Sequence, residues 1–277
     1  EPILRSFQDK ELLRIGVRDL LGKNDIRATT AALSDLAEVL LIEAAGRCEA
    51  EAIRRHGRPT RTDGNPCRYA LIAMGKLGGR EMSYHSDLDL VLVYEDEGAT
   101  VAHGTEVRVE NFRFYTELAQ EIIRFLSQTG PLGRLYAVDM RLRPTGKSGS
   151  LVVPLAEFRR YFEGGAAQLW ERQSLTRARC VFGNSVFLDE VMRTVRQAIT
   201  DRTWSLTEVA EIAAMRSRLE STASPRSLKR APGGIMDVEF IVQMIQLEHG
   251  GRHAGILRTN VWDALDAAAA AGLITAE

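Results

Sequence analysis

Hydrophobic residues recur at near-helical spacing over 4–21, where Leu4, Phe7, Leu12, Leu13, Ile15, Val17 and Leu20 predict a first helix. A longer helical pattern runs through Leu33, Leu36, Leu40, Leu41 and Ile53, with Thr29 or Thr30 as its cap and His56-Gly57-Arg58-Pro59 as its stop. Residues 61–66 are a loop by composition, and beyond them the apolar period shortens to that of a strand. The runs 69–74 and 88–95 read as strands separated by a glycine turn, followed by a loop through Gly98 and Gly104. A helix from about Glu106 to Ser127 puts Phe114, Leu118, Ile122 and Phe125 on one face. After the Gly130-Pro131 break, 135–142 alternates as a strand, and the turn 144–149 leads to another at 151–153. From Pro154 onward the pattern is helical, over 155–163, 166–181, 185–200, 205–220, 235–249 and 259–272, with a polar loop at 221–234. This order predicts an α+β protein: an N-terminal helical segment (1–64), a mixed sheet with helices (65–160) and a C-terminal helical bundle (161–277).

Composition narrows the class little. A chain of 277 residues with 45% hydrophobic and 26% charged residues is long enough for a sizeable core and reads as an ordinary water-soluble protein. A formal net charge of −1 excludes a global field for nucleic acid or membrane, so any anion site must be local. Cys48, Cys67 and Cys180 are too scattered for a zinc site or a disulfide framework, which fits a reducing cytosol. No apolar run approaches the ~18 residues of a membrane span, and no leader pattern is present. Because the chain opens at Glu1 inside a helical pattern, it reads as a fragment of something longer.

The chemistry concentrates in Gly75-Lys76-Leu77-Gly78-Gly79 and Ser86-Asp87-Leu88-Asp89-Leu90. On a strand Asp87 and Asp89 point the same way with Cα atoms ~6.6 Å apart. Two anions so close suit a hard divalent cation shared with phosphate oxygens, although a bare pair also fits solvated carboxylates or a turn cap. Gly78 and Gly79 lack side chains, so backbone N–H groups there are expected to approach a phosphate chain. In Val138-Asp139-Met140-Arg141-Leu142-Arg143 the alternation sets Asp139, Arg141 and Arg143 on one face, a third carboxylate beside two phosphate-binding cations.

A glycine turn, an Asp-x-Asp strand and a later aspartate resemble the DNA polymerase beta-like nucleotidyltransferase superfamily. More closely, these stretches, with Trp170-Glu171, Arg177-Ala178-Arg179 and Gly233-Gly234-Ile235-Met236-Asp237-Val238-Glu239-Phe240, resemble the glutamine synthetase adenylyltransferase family over nearly the whole chain. Met82 and His85 depart from the leucine and small residue expected there. The family carries two such catalytic halves, one attaching AMP to a tyrosine of glutamine synthetase and one removing it by phosphorolysis. This chain holds one, and its Trp170 and Asp237 motifs look more like the adenylylating half. The resemblance implies ATP as substrate and two Mg²⁺ ions, or Mn²⁺, on Asp87, Asp89 and Asp139. It implies Lys76, Gly78, Gly79, Ser86, Arg141 and Arg143 around the phosphates. Glutamine synthetase is the implied partner, with a PII-type signalling protein and glutamine as effectors, and neither nucleic acid nor membrane.

Other features stay open at this level. Gly146-Lys147-Ser148 imitates the tail of a P-loop, but the required first glycine is Arg141. Glu171, Asp237 and Glu239 are cleft candidates that also fit capping and packing roles, and Glu239, Gln243 and Gln246 form a polar stripe on an apolar helix. His56, His103, His249 and His253 show no ligand spacing. A non-catalytic helical scaffold is the rival to an enzyme, and the three aspartates argue against it.

Overall fold

Alternation along two neighbouring strands, β2 (Tyr69–Ala73) and β3 (Leu88–Tyr94), sorts their side chains onto opposite faces, and both faces are covered. The computed structural model describes residues 2–101, 108–130, 133–201, 204–224 and 226–275. On one face Tyr69, Leu71, Ala73, Leu88, Leu90, Leu92 and Tyr94 pack beneath α2 (Ile26–His56) and α4 (Asn111–Ser127), with Ile15 of α1 (Pro2–Leu20). On the other, Ala70, Ile72, Val91 and Val93 meet α5 (Leu155–Glu163), α6 (Leu169–Leu175), α7 (Ser185–Thr200) and Leu247 of α9 (Ile235–His249). Burial from both sides is why these strands read as continuous apolar runs. The result is a mixed sheet between helical layers, in keeping with a polymerase beta-like nucleotidyltransferase fold with flanking helices.

β2 and β3 pair antiparallel, with Ala73 opposite Leu90. The far edge of β2 takes β7 (Arg179–Gly183), also antiparallel. Along the free edge of β3 lie two parallel strands end to end, β5 (Val138–Asp139) at its start and β6 (Val152–Pro154) at its finish. The remaining helices are the single turn α3 (Gly75–Gly78), α8 (Leu206–Ser221) and α10 (Val261–Ala270). Among the described residues no helix is long and apolar enough to cross a membrane. The three cysteines are free.

Several elements differ from the sequence expectation. The long second helix starts earlier: Asp25 caps it, accepting from Ala28 N at 2.7 Å, while Thr29 and Thr30 are buried inside it. The stop at Arg58-Pro59 opens β1 (Arg58–Arg61), which pairs antiparallel with β4 (Gly98–Val101), both read from sequence as loop. A proline and polar side chains hid this outlying ladder, whose partners are far apart in sequence. The predicted strand 135–142 is strand only at Val138–Asp139, because β6 occupies the edge of β3 beyond it. The predicted helix 166–181 ends early, and its last part becomes β7, satisfying the exposed backbone edge of β2. Gly104, Glu106, His103 and Pro131 lie outside the described residues, and α4 is described from Asn111.

Leu40 sits in α2 with no exposed surface, so Leu40→Ala should lower unfolding stability by about 2–5 kcal/mol. Urea titration measures this; a loss below about 1 kcal/mol is incompatible with α2 packing on the sheet as described.

Candidate active site

Where β2 ends, Met74 N–H donates to Asp89 O at 2.8 Å, and the chain swings through Gly75 at φ 51° into α3. A Cβ at position 75 would stand 2.5 Å from Asp89 Oδ2, so only glycine admits both the turn and the carboxylate. Across the other edge, parallel register sets Asp89 directly beside Asp139. Paired positions share a face, so the two carboxylates project together. Asp87, two residues before Asp89 and exposed, lies just outside the strand, close enough for its charge to act on Asp89. Asp89 belongs to the face of Val91 and Val93, toward α6 and α9.

Burial, followed by the charges of Asp139 and Asp87, raises the pKa of Asp89 to about 6, with Lys229 and Arg141 opposing. Asp139 behaves oppositely. Arg141 donates its backbone N at 2.8 Å and Nε at 2.6 Å to Asp139, with Nη2 also in contact, and these bonds hold its carboxyl below the usual range. Among the described residues, no three His, Cys, Asp or Glu side chains converge as a metal cage. The arrangement has one deficient carboxylate, one satisfied by the exposed Arg141 and one in solvent.

Asp89 opens into a cleft of about 160 Å³. Gly75 and Lys76 line it from the sheet side, and Arg177, Lys229, Glu239 and Gln243 from the helical side. A larger cavity of about 490 Å³, beside Thr145, Glu157 and Tyr161, contains none of the aspartates, so size does not locate this chemistry. Asp87 and Ser86 instead face a separate hollow of about 360 Å³ against α1.

Gly78 and Gly79 do not form the expected phosphate cradle. Their N–H groups donate within the turn, to Met74 O at 3.0 Å and Gly75 O at 3.1 Å. A Cβ at Gly78 would lie 1.8 Å from Arg177 O, and one at Gly79 would lie 2.4 Å from Arg177 Nη2. The pair is therefore a seat for Arg177, which is 5% exposed and bridges Glu81 and Glu239, each at 2.8 Å. The glycine beside the carboxylates is Gly75.

Other predicted residues fall into three fates. Lys76 and Glu239 line the cleft with Asp89, and Arg141 reaches Asp139. Ser86 closes its own turn, accepting from Ser83 N at 2.9 Å. Arg143 spends its guanidinium on a loop, donating to Met140 O at 2.6 Å, Ser150 O at 2.8 Å and Gly149 O at 3.0 Å. Glu171 is buried and caps α6, accepting from Gln168 N at 2.8 Å and Tyr161 Oη at 2.7 Å. Asp237 accepts from Gly233 N at 2.6 Å and Arg216 Nε at 2.5 Å, so it anchors the start of α9 outside the cleft. Sequence reading quoted Gly75 and Arg177 within motifs but gave neither a role, and it passed over Lys229; all three line the cleft. Pairing 69–73 against 88–94 as a hairpin would have placed Gly75 beside Asp89; no local signal marked Lys229.

A profile of the glutamate-ammonia ligase adenylyltransferase family matches residues 2–194. The bifunctional glutamine synthetase adenylyltransferase/adenylyl-removing enzyme of Pseudomonas aeruginosa is 36% identical over 295 residues, covering 99% of this chain and 30% of that protein. The proteins of that name from Thioalkalivibrio sulfidiphilus and Shewanella woodyi are 36% and 33% identical, over 90% and 95% of this chain and 26% and 28% of their own length. The chain thus spans less than a third of the length of these relatives.

The raised pKa of Asp89 makes a stability prediction. A carboxyl whose folded pKa, about 6, exceeds its unfolded value binds more protons when folded, so its ionisation destabilises the fold as pH rises toward and past 6. Asp89→Asn should therefore stabilise the metal-free protein at pH 7.5 by about 1–3 kcal/mol, a gain that shrinks toward pH 4. Melting curves in chelator at both pH values test this; a destabilised Asn variant at pH 7.5 would contradict the electrostatics described.

Proposed function

The chain belongs to the glutamate-ammonia ligase adenylyltransferase family, and we propose on that footing that it transfers AMP from ATP to a tyrosine of glutamine synthetase. The observation supporting this reading is the meeting of Asp89 and Asp139 in parallel register, with Asp87 beside them and the bare backbone of Gly75 against Asp89. A scaffold without catalysis has no use for a half-buried carboxylate left short of positive charge.

The donor set suits Mg²⁺: all ligating atoms are carboxylate oxygens, and the excess negative charge around Asp89 is what a hard divalent cation relieves. Asp87 and Asp89 would hold both ions and Asp139 one of them, with Arg141 giving up its place on Asp139. Bound there, the ions supply charge neutralisation for the triphosphate and a lower proton affinity for the acceptor hydroxyl. The chain contributes the rest. Gly75 and Lys76 line the cleft with Asp89, and the Lys76 ammonium is the cation on the sheet side for phosphate oxygens. Arg141, released from Asp139, is positioned for the charge that develops on the phosphoryl oxygens.

The acceptor oxygen attacks the α-phosphorus, the bond to the β-phosphate oxygen breaks, the phenol proton leaves and pyrophosphate departs. A tyrosine of pKa ~10 is roughly 4 kcal/mol from ionised at pH 7, and the site must supply that difference. The relatives' shared name also includes adenylyl removal, and the same carboxylates would serve phosphorolysis of the AMP-tyrosine bond to ADP. Asp237 and Glu171, the sequence markers that favoured transfer, sit in packing roles, so direction rests on the family resemblance.

Incubation with α-labelled ATP and unmodified glutamine synthetase should transfer label, and Asp87→Ala or Asp139→Ala should lower the rate at least about 10³-fold. Full transfer by either variant overturns the carboxylate scheme. Release of ADP from the modified substrate only when phosphate is present, with no labelling of the unmodified one, would instead assign the removing activity.

A further inference from the structure

The Gly233-Gly234-Ile235-Met236-Asp237 stretch is more ordered in its bonding than a helix start requires, and the residue it fixes is Lys229. The chain from 227 to 236 folds back on itself: Ala231 N bonds Ser227 O at 2.9 Å, Ile235 N bonds Leu228 O at 3.1 Å and Met236 N bonds Lys229 O at 3.1 Å. Gly234 is needed at the crossing, where a Cβ would meet the carbonyls of Leu228 and Ala231 at 2.8 Å. Arg216 of α8 locks the fold from outside, with Nη2 on Arg230 O at 2.9 Å and Ala231 O at 3.2 Å. Asp237 in turn holds Arg216 Nε and the N–H of Gly233. The bonds from Ala231, Ile235, Met236 and Arg216 all pin backbone within two residues of Lys229.

We propose that Lys229 is the catalytic cation of the helical wall, contacting the β- and γ-phosphates of ATP opposite Lys76, and that Asp237 and Arg216 are positioning residues that aim it. The assignment rests on the nucleotidyl-transfer reading above. Lys229 lines the cleft that contains Gly75, Lys76 and Asp89, and its charge acts on Asp89. The neighbouring cleft cation, Arg177, is consumed by Glu81 and Glu239; among the described residues no ion pair engages Lys229. An ammonium in the same cleft as Asp89 is a point charge suited to phosphate oxygens. Pyrophosphate leaves with more charge than it carried as part of ATP, so a cation on its side favours departure.

Titration of the protein with ATP and with AMP, each with Mg²⁺, separates the possibilities. Lys229→Met should weaken ATP binding roughly 10- to 100-fold and leave AMP binding within about twofold, because AMP lacks the phosphates concerned. Lys229→Arg should restore most of the loss. Asp237→Asn should show the same ATP-selective defect, and the Lys229→Met/Asp237→Asn double variant should bind ATP no more weakly than Lys229→Met, since the two act through one group. Lys229 is exposed, so its variants are expected to fold even where Asp237→Asn is damaged. Unchanged ATP affinity in Lys229→Met, or an equal loss for ATP and AMP, overturns the assignment alone. No ATP binding by the unaltered protein overturns the nucleotidyl-transfer reading and the assignment with it.

Discussion

The buried guanidinium of Arg177 is what the rest of the structure is built to accommodate. It lies between Glu81, just after the glycine turn, and Glu239 on α9, so one ion cluster joins the sheet to the helices that close the cleft. Burial pushes the pKa of Glu81 up, chiefly by desolvation, and Arg177 pulls it back. Taking such charges out of water is costly unless all are paired, so any motion that separates α9 from the turn exposes the full cost. Gly78 and Gly79 are glycines because Arg177 occupies the space their side chains would need.

Other contacts converge on the same turn. Arg179 ties it to Glu38 of α2 at 2.7 Å, Arg80 reaches Asp35 at 2.5 Å, and Ser34 accepts from Met82 N at 3.1 Å. From α10, Asn260 donates to Gly79 O at 2.9 Å and Val261 N donates to Glu81 at 2.6 Å. A turn held from three helices cannot drift relative to β3, and that fixes Gly75 against Asp89. On the proposed reading this stiffness matters, since transfer at a metal–phosphate site tolerates little misplacement of its ligands. It also explains a half-buried carboxylate with a raised pKa: the scaffold supplies the energy that keeps Asp89 close to Asp139 without a counter-ion in contact.

Much of this was legible in the chain. Helices that bury one face against the sheet show their period, as α4 does with Phe114, Leu118 and Ile122. Strands buried on both faces, β2 and β3, show as apolar runs. The Asp-x-Asp pair and Asp139 stood out because carboxylates interrupting or flanking such runs are chemically unusual. Short strands that exist only through a distant partner left no such trace: β7 looked like the tail of a helix, and β1 and β4 like loops.

The sequence alone determined the fold class, the three carboxylates and the family, because periodicity and residue type are local properties of the chain. Tertiary structure decided which of the remaining polar residues serve the site. Arg143, Glu171 and Asp237 carry the right chemical groups but spend them on nearby carbonyls, an amide or a neighbouring arginine. Gly75 and Arg177 stood in motifs that gave them no role, Lys229 stood in none, and folding lines one cleft with all three and Asp89. A side chain's chemistry is written in its identity, but whether that chemistry is free depends on the partners that folding places within hydrogen-bond reach.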